Sequence, residues 1–497
     1  MLSKNNLPNA TGNLIVPAKE LFDLPEKVLQ FGTGVLLRGL PDYYIDKANR
    51  QGVFNGRVVV VKSTTTGDTA DFDQQDCLYT LHVKGIAGGK EVDEQVINSA
   101  ISRVLSAATQ WADILNVAHN KELKIVLSNT TEVGLQFLAE SIGQTPPESF
   151  PGKLLAFLLE RYRAFNGDME AGLVIIPTEL VIDNGKLLKQ IIMQLATYNQ
   201  LEDAFTNWLT TANHFCNSLV DRIVPGKPVA AENSILNQRS GYKDNLRIVA
   251  EPYSLWAIEG GPDVEAALSF CRVDSGVVIT PDIEKFRELK LRLLNGTHTL
   301  CCAVAILAGF KTVDEAMRDK SFINFINRIM TEEIKPSIPY PVDKEEAALF
   351  ARNVIDRFSN PYIKHQWMSI SAQYSLKMRT RVIPLLANYE NSFRQAPQLM
   401  AFGFAAFIAF MQVEQVNGKF EGKSNGVNYL VTDNSADVFA AAWKTAFSDG
   451  RVVDTLLSDL SLWGTDLTSL PGFKEEVSRR LEQIKAVGIL NILQATY

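Results

Sequence analysis

Val28-Leu29-Gln30-Phe31-Gly32-Thr33-Gly34-Val35-Leu36-Leu37-Arg38-Gly39 is the stretch on which the fold turns. A short apolar run, residues 28–31, stops at a Gly-x-Gly turn, and helix-forming sequence follows over residues 35–50. Next comes Arg57-Val58-Val59-Val60-Val61-Lys62, a continuous β-branched run. Strand, glycine turn, helix and strand within about 35 residues make a βαβ unit. The uninterrupted second strand suits a parallel sheet covered on both faces. Leu37 departs from the G-x-G-x-x-G pattern, yet Gly32 and Gly34 still allow a pyrophosphate to approach the backbone at a helix start. Phe31, Gly32, Gly34 and Val35 are therefore the expected cofactor contacts. An acid after the second strand would favour NAD; this chain has Lys62, which either accommodates a 2′-phosphate or simply caps the strand in solvent.

Residues 79–83 and 91–96, joined through Gly88-Gly89, read as an inserted hairpin. Residues 123–128 and 173–177 read as further strands, each ending in a polar loop where open doubly wound sheets bind ligands. The loop after the first of these, Asn129-Thr130-Thr131-Glu132, adds Asn129 and Glu132 to the expected cofactor contacts. From Thr280 onward helical periodicity dominates, over residues 282–307, 312–330, 344–358, 370–388 and 398–412. Thr280-Pro281-Asp282 reads as a capped helix start. Residues 417–433, rich in Gly and Asn, read as a β-hairpin or long loop. The expected fold class is α/β: a Rossmann-type domain over residues 1–275, then a mainly α-helical substrate-binding and catalytic domain over residues 276–497.

The bulk numbers agree with a globular enzyme. A 497-residue chain has room for two or three cores, and 46% hydrophobic with 21% charged residues is the ordinary globular range. A net charge of −7 gives no electrostatic reason for a nucleic-acid or anionic-membrane partner. The longest apolar run, residues 401–411, falls short of the roughly 18–20 residues that span a bilayer. Residues 1–25 lack the apolar core of a signal peptide, so a cytoplasmic location is expected. Cys77, Cys216, Cys271, Cys301 and Cys302 are scattered and read as reduced thiols; with five histidines equally dispersed, no metal site is expected. His82 and His119 read as structural or solvent-exposed. Nothing in the chain chooses between monomer and homodimer.

The chemistry concentrates in Lys290-Leu291-Arg292-Leu293-Leu294-Asn295-Gly296-Thr297-His298. On an α-helix, His298 lies about 80° and Asn295 about 140° around from Lys290, so all three reach one cleft. A lysine partly withdrawn from water accepts a proton near neutral pH, an asparagine amide steadies an alkoxide-like oxygen, and a histidine fixes a hydroxyl. Each residue alone reads as a surface charge, a helix kink or a satisfied core histidine; the trio reads as carbonyl–alcohol redox chemistry without zinc.

This spacing resembles the polyol-specific long-chain dehydrogenase/reductase family, with likeness over roughly residues 25–490. Gln30 to Gly34 with Arg38, Asn217-Ser218-Leu219-Val220-Asp221-Arg222-Ile223, and Leu293 to Thr299 carry it. Pro177-Thr178-Glu179-Leu180, Asp183-Asn184-Gly185, Glu251-Pro252-Tyr253, Arg357-Phe358-Ser359-Asn360-Pro361 with His365, and Lys377-x-Arg379-x-Arg381 are closer to members acting on sugar acids. The resemblance implies Lys290 as general acid/base, Asn295 as oxyanion donor and His298 as substrate-orienting residue. It implies NAD(H), with NADP not excluded, and a hexuronate ketone such as tagaturonate, reduced to altronate. Two positions depart from the mannitol pattern. Leu180, beside Glu179, stands where a second oxyanion asparagine is expected, and Arg287 replaces a glutamate three residues before the lysine. Arg287, Glu179, His365, Lys377 and Arg381 are thus the expected substrate contacts, among which the cations Arg287, Lys377 and Arg381 suit a carboxylate. A solvated Arg287, and a solvated basic face at 377–381, are the alternatives. So are the isomeric fructuronate, a neutral polyol or a sugar phosphate as substrate, and a non-catalytic dinucleotide-binding regulator.

Overall fold

The computed structural model describes residues 1–8, 13–64, 67–130, 134–424, 426–446 and 451–497. They form two compact units: Met1–Gly85 with Glu91–Ile283, and Ile86–Lys90 with Glu284–Tyr497.

In the first unit six parallel strands lie in the order Ile101–Ser106, Arg57–Lys62, Glu26–Phe31, Ile125–Ser128, Val174–Pro177, His214–Phe215. Counted along the chain this is 3-2-1-4-5-6, the doubly wound Rossmann order, whose direction reverses between Glu26–Phe31 and Ile125–Ser128. Alternation along each strand feeds two cores. Val28, Val58, Val60, Ile125, Leu127 and Ile176 face one; Leu29, Phe31, Val59, Val61, Val126 and Ile175 face the other, under helices Trp111–Val117, Phe150–Ala164 and Asn184–Tyr198. Strand Tyr79–Ala87 neighbours Lys90–Asn98 in a separate four-stranded sheet, so the inserted hairpin is present and slightly longer than its sequence signal.

Asp282 does not start a helix. Val277–Thr280 is a strand and the helix begins at Glu284, because Thr280 Oγ1 turns onto Asp282 O at 3.1 Å instead of capping. From there the second unit is helical. Glu284–Leu289, a π-helical segment Lys290–Gly296 and Thr297–Ala308 run on without a break. By length and composition Glu284–Ala308 could cross a membrane, but 72% of its apolar window is buried within the fold, as in a core helix. Helix Gln398–Phe410 and helix Phe473–Val487 pack together beside it. Two expected helices are interrupted. The 312–330 stretch divides into Val313–Ala316, Lys320–Arg328 and a π-helical Ile329–Ile334. The 370–388 stretch breaks at Gln373 (φ 52°) and contains a second-half π segment, Met378–Val382. The 417–433 region is a three-stranded antiparallel sheet, Val413–Val416, Lys419–Ser424 and Val427–Val431.

Candidate active site

The first unit builds its ligand seat at the reversal of strand order. Gly32 N donates to Val61 O at 3.0 Å, and Asn129 N to Phe31 O at 3.2 Å, so the chains leaving the strands are laced together. Gly32 has φ +131°, where a side chain is strained, and a Cβ there would sit 2.9 Å from Leu37 Cδ1 and 3.2 Å from Asn129 O. A Cβ on Gly34 would meet nothing within 4 Å, and no side chain caps the helix Val35–Gly39 that follows. A pyrophosphate therefore fits against this backbone, at the place in the sheet where dinucleotides bind.

Individual side chains divide differently from the sequence reading. Phe31 is fully buried with its ring 5.1 Å from that of Phe150, so its side chain belongs to the core and only its backbone reaches the turn. Val35 is half-buried, lodged near the position a Gly226 side chain would take. Lys62 is 7% exposed, with Nζ donating to Thr64 O at 2.5 Å; it is not a solvated cap. Asn129 Nδ2 bridges Thr178 O and Oγ1 at 3.1 and 3.0 Å. Glu132 lies outside the described residues. Glu179 is 2% exposed, and its carboxylate accepts from Thr130 N (2.8 Å), Thr130 Oγ1 (3.0 Å) and Ser128 Oγ (3.2 Å), bracing the loop after Ser128. Among the histidines kept out of the site, His82 is buried on Asp93 and His119 exposed on Glu160, each at 2.7 Å.

In the second unit the trio lies on a widened helix. A π turn absorbs one extra residue, so the straight-helix angles need revision. With one residue absorbed, Asn295 falls about 40° and His298 about −20° from Lys290, a tighter grouping than the α-helical estimate. Lys290 and Asn295 are half-buried, and His298 is 8% exposed. A buried pair holds the segment: Arg292 Nε and Nη2 donate to Glu288 at 2.8 and 3.1 Å, while Nη1 donates to Thr380 O and Arg381 O at 2.7 and 2.9 Å. One guanidinium thereby ties the π segment at 290–296 to the one at 378–382.

His298 is the centre of a cationic pocket. Its ring stacks on Phe358 at 4.0 Å and meets His365 and Trp367 edge-on at 5.4 and 5.9 Å. Burial holds its pKa well below the usual histidine range, and His365, Arg357, Arg381 and Lys377 push the same way. The imidazole is neutral, and its buried Nε2 has no hydrogen-bond partner. Lys377 and Arg381 are half-buried, both with pKa lowered first by burial, and neither forms an ion pair among the described residues. Lys377 Nζ donates to Ile370 O at 2.8 Å and Arg381 Nη1 to Thr299 Oγ1 at 3.2 Å. Arg379 points elsewhere, towards Ser461 O and Gly464. Arg287 pairs with Glu284 one turn back, so it is neither solvated nor an unopposed cation. Asn360 is buried and holds the Tyr362 turn through Oδ1. Sequence reasoning passed over Arg357 as a site residue. The available signal was a cation inside the apolar stripe Ala347, Phe350, Ala351, Val354, Phe358 of helix Lys344–Phe358.

The mannitol dehydrogenase Rossmann domain family matches residues 26–269, and the mannitol dehydrogenase C-terminal domain family residues 282–485. An altronate oxidoreductase of Halalkalibacterium halodurans is 39% identical over 94% of this chain and 92% of its own length. The altronate oxidoreductase of Bacillus subtilis is 36% identical, covering 95% of each. Among solved structures, Pseudomonas fluorescens mannitol 2-dehydrogenase in complex with NAD and D-mannitol aligns with a TM-score of 0.68 at 23% identity, over 99% of both chains. A D-sorbitol dehydrogenase aligns at 0.79 and 22% identity, over 99% of this chain and 100% of that one; at such identity these two speak for the fold. The chain belongs to the mannitol dehydrogenase family and is an oxidoreductase acting on CH–OH groups, with a nicotinamide dinucleotide as its cofactor class.

Proposed function

We propose that the protein catalyses reversible hydride transfer between NAD(H) and the ketone of a hexuronate, interconverting tagaturonate and altronate. The observation that carries this reading is the pair Lys377 and Arg381, half-buried and without ion-pair partners among the described residues, beside His298, whose pKa burial lowers and whose Nε2 has no partner among the described residues. Such a pocket suits a small molecule bearing both a carboxylate and hydroxyl groups. The named activity of the relatives at 34–39% identity supports the same substrate class.

The dinucleotide, bound along Gly32, Gly34 and the Asn129 loop, supplies or accepts the hydride. Lys290, half-buried, gives the proton to the carbonyl oxygen in reduction and takes it back in oxidation. Asn295 donates its amide to that oxygen as negative charge develops. His298, kept neutral, orients a neighbouring hydroxyl, and Arg381 with Lys377 grips the carboxylate. Lys62, its ammonium turned onto Thr64 O, favours NAD over the 2′-phosphorylated dinucleotide. None of these roles requires a metal ion, and a cytoplasmic location belongs to the same reading.

The test is NADH oxidation with tagaturonate, fructuronate, fructose and fructose 6-phosphate, repeated with NADPH and with a chelator. Chelator-resistant turnover confined to tagaturonate is expected. Turnover with fructuronate alone would reassign the substrate to the isomer. Turnover only with neutral or phosphorylated ketoses would overturn the carboxylate pocket, and none at all would favour a non-catalytic dinucleotide-binding regulator.

A further inference from the structure

Beneath the glycine turn lies a buried amide and acid that the proposed chemistry does not use. Gln30 Nε2 donates to Gly32 O and to Asp42 Oδ2, each at 3.3 Å. Both side chains are completely shielded from solvent. Gln30 Oε1 and Asp42 Oδ1 are nevertheless two buried acceptors with no donor. Orphaned acceptors are rare and costly, and here both belong to side chains already joined to each other. A single proton on Oδ1 satisfies both.

We propose that the dinucleotide-binding form of the protein is the one in which Asp42 is a neutral carboxylic acid, that its Oδ1–H donates to Gln30 Oε1, and that this closed acid–amide pair is a positioning device holding the Gly32 turn in shape for the dinucleotide. The groups around it are known from every side. The Gln30 Nε2–H bond to Oδ2 favours the ionised form, and so, to a smaller extent, does Arg38 on the preceding helix Val35–Gly39, whose guanidinium is directed at Thr33 O and Leu246 O. Asp46, one turn along from Asp42 on the helix Pro41–Arg50, opposes ionisation and is itself held by Arg50 and Ser99. Tyr79, from strand Tyr79–Ala87, donates its hydroxyl to Arg38 O at 2.7 Å, and burial keeps that phenol neutral. Asn98 Nδ2 donates to the Asp42 backbone carbonyl and its Oδ1 accepts from Ala100 N, so it leaves the Asp42 carboxyl alone. Burial dominates this balance and pushes the Asp42 carboxyl up to about 7. When the proton leaves, Oδ1 and Oε1 face each other as acceptors, Gln30 turns away, and Gly32 O loses its donor. Dinucleotide affinity then falls as pH rises through neutrality.

This inference rests on the Gly32–Gly34 turn being the dinucleotide seat, and two measurements separate it from that reading. Infrared spectroscopy of ligand-free Glu333→Gln, which removes the other acid that burial raises to about 7, should show a protonated-carboxylic-acid carbonyl band that fades as pH rises through neutral and is missing once Asp42→Asn is added. NADH affinity, titrated by fluorescence, should weaken about tenfold between about pH 6 and about pH 9, and lose that dependence in Asp42→Asn, whose amide donates to Oε1 at every pH. Absence of the band in Glu333→Gln overturns the neutral acid, whether or not the double variant folds. A band with an unchanged pH profile in Asp42→Asn overturns the positioning role. A band with no NADH binding at any pH overturns the dinucleotide reading, and the positioning role with it.

Discussion

At the scale of single residues, the sharpest expectation concerns Lys290. Lys290→Ala should lower kcat by about 10²–10⁴-fold, the usual worth of a positioned acid–base group, while the NADH dissociation constant changes less than about threefold. Stopped-flow hydride transfer with a parallel NADH titration checks it; an equal loss of NADH affinity would remove the lysine from the substrate side. Arg381→Met and Lys377→Met should each raise KM for a hexuronate by about tenfold or more and leave a neutral ketose nearly untouched, because each removes a charge-assisted contact to a carboxylate. The sequence displayed the Lys290, Asn295 and His298 grouping because its spacing is distinctive. It did not display what becomes of Glu179, a carboxylate at a strand end that looks like a ligand and is consumed by Thr130 and Ser128. Nor could it place Phe31, which reads as the lip of the turn and folds into the core against Phe150. Both cases have one cause: a residue's position along the chain does not name the distant partners that its side chain meets.

At the scale of the element, the π segments decide the geometry, and no hydrophobic period announces them. Apolar spacing over 284–308 fits an unbroken α-helix, and the widened turn is specified by partners distant in sequence, among them Thr380 O and Arg381 O on Arg292. Arg292→Met should therefore leave Glu288 as an unpaired buried acid and destabilise the protein by about 3–5 kcal/mol. The double variant Arg292→Met with Glu288→Leu should recover much of that loss in denaturant unfolding while kcat stays low. Gly296 invites the opposite experiment. Its φ of −63° is helical, and a Cβ would find its nearest neighbours, Leu291 O and Leu385 Cδ1, at ordinary contact distances of 3.5 and 3.6 Å. Gly296→Ala should raise stability by about 0.5–1 kcal/mol, read as a higher midpoint in urea. Destabilisation would mean that the π turn itself needs the glycine.

At the scale of the whole molecule, two buried acids contribute a shared sign to the pH dependence of stability, opposite to that of the histidines that burial lowers. Asp42 is pushed up to about 7 by burial, and so is Glu333, whose carboxylate accepts from Leu399 N and Met400 N at the start of helix Gln398–Phe410. A carboxyl whose folded pKa exceeds its unfolded value near 4 favours folding while protonated, and that contribution drains away as pH climbs from about 4 to about 7. Asp42→Asn should gain thermal midpoint relative to the wild type as pH climbs across this window, because the variant has no carboxyl to ionise there. A variant that runs parallel to the wild type would show that Asp42 is ionised in the native state throughout. The architecture was the most legible layer, since continuous apolar runs, glycine turns and alternation on two faces permit few arrangements besides a doubly wound sheet. The strand order adds a consequence for synthesis. Val28 pairs with Ile125, so one wall of the crevice waits for sequence far downstream of the other. A nascent chain that has displayed only its glycine turn owns half a seat, and must close a long loop before the second half arrives. The dinucleotide can act as a folding ligand only after residue 128 has left the ribosome and joined its strand to the first.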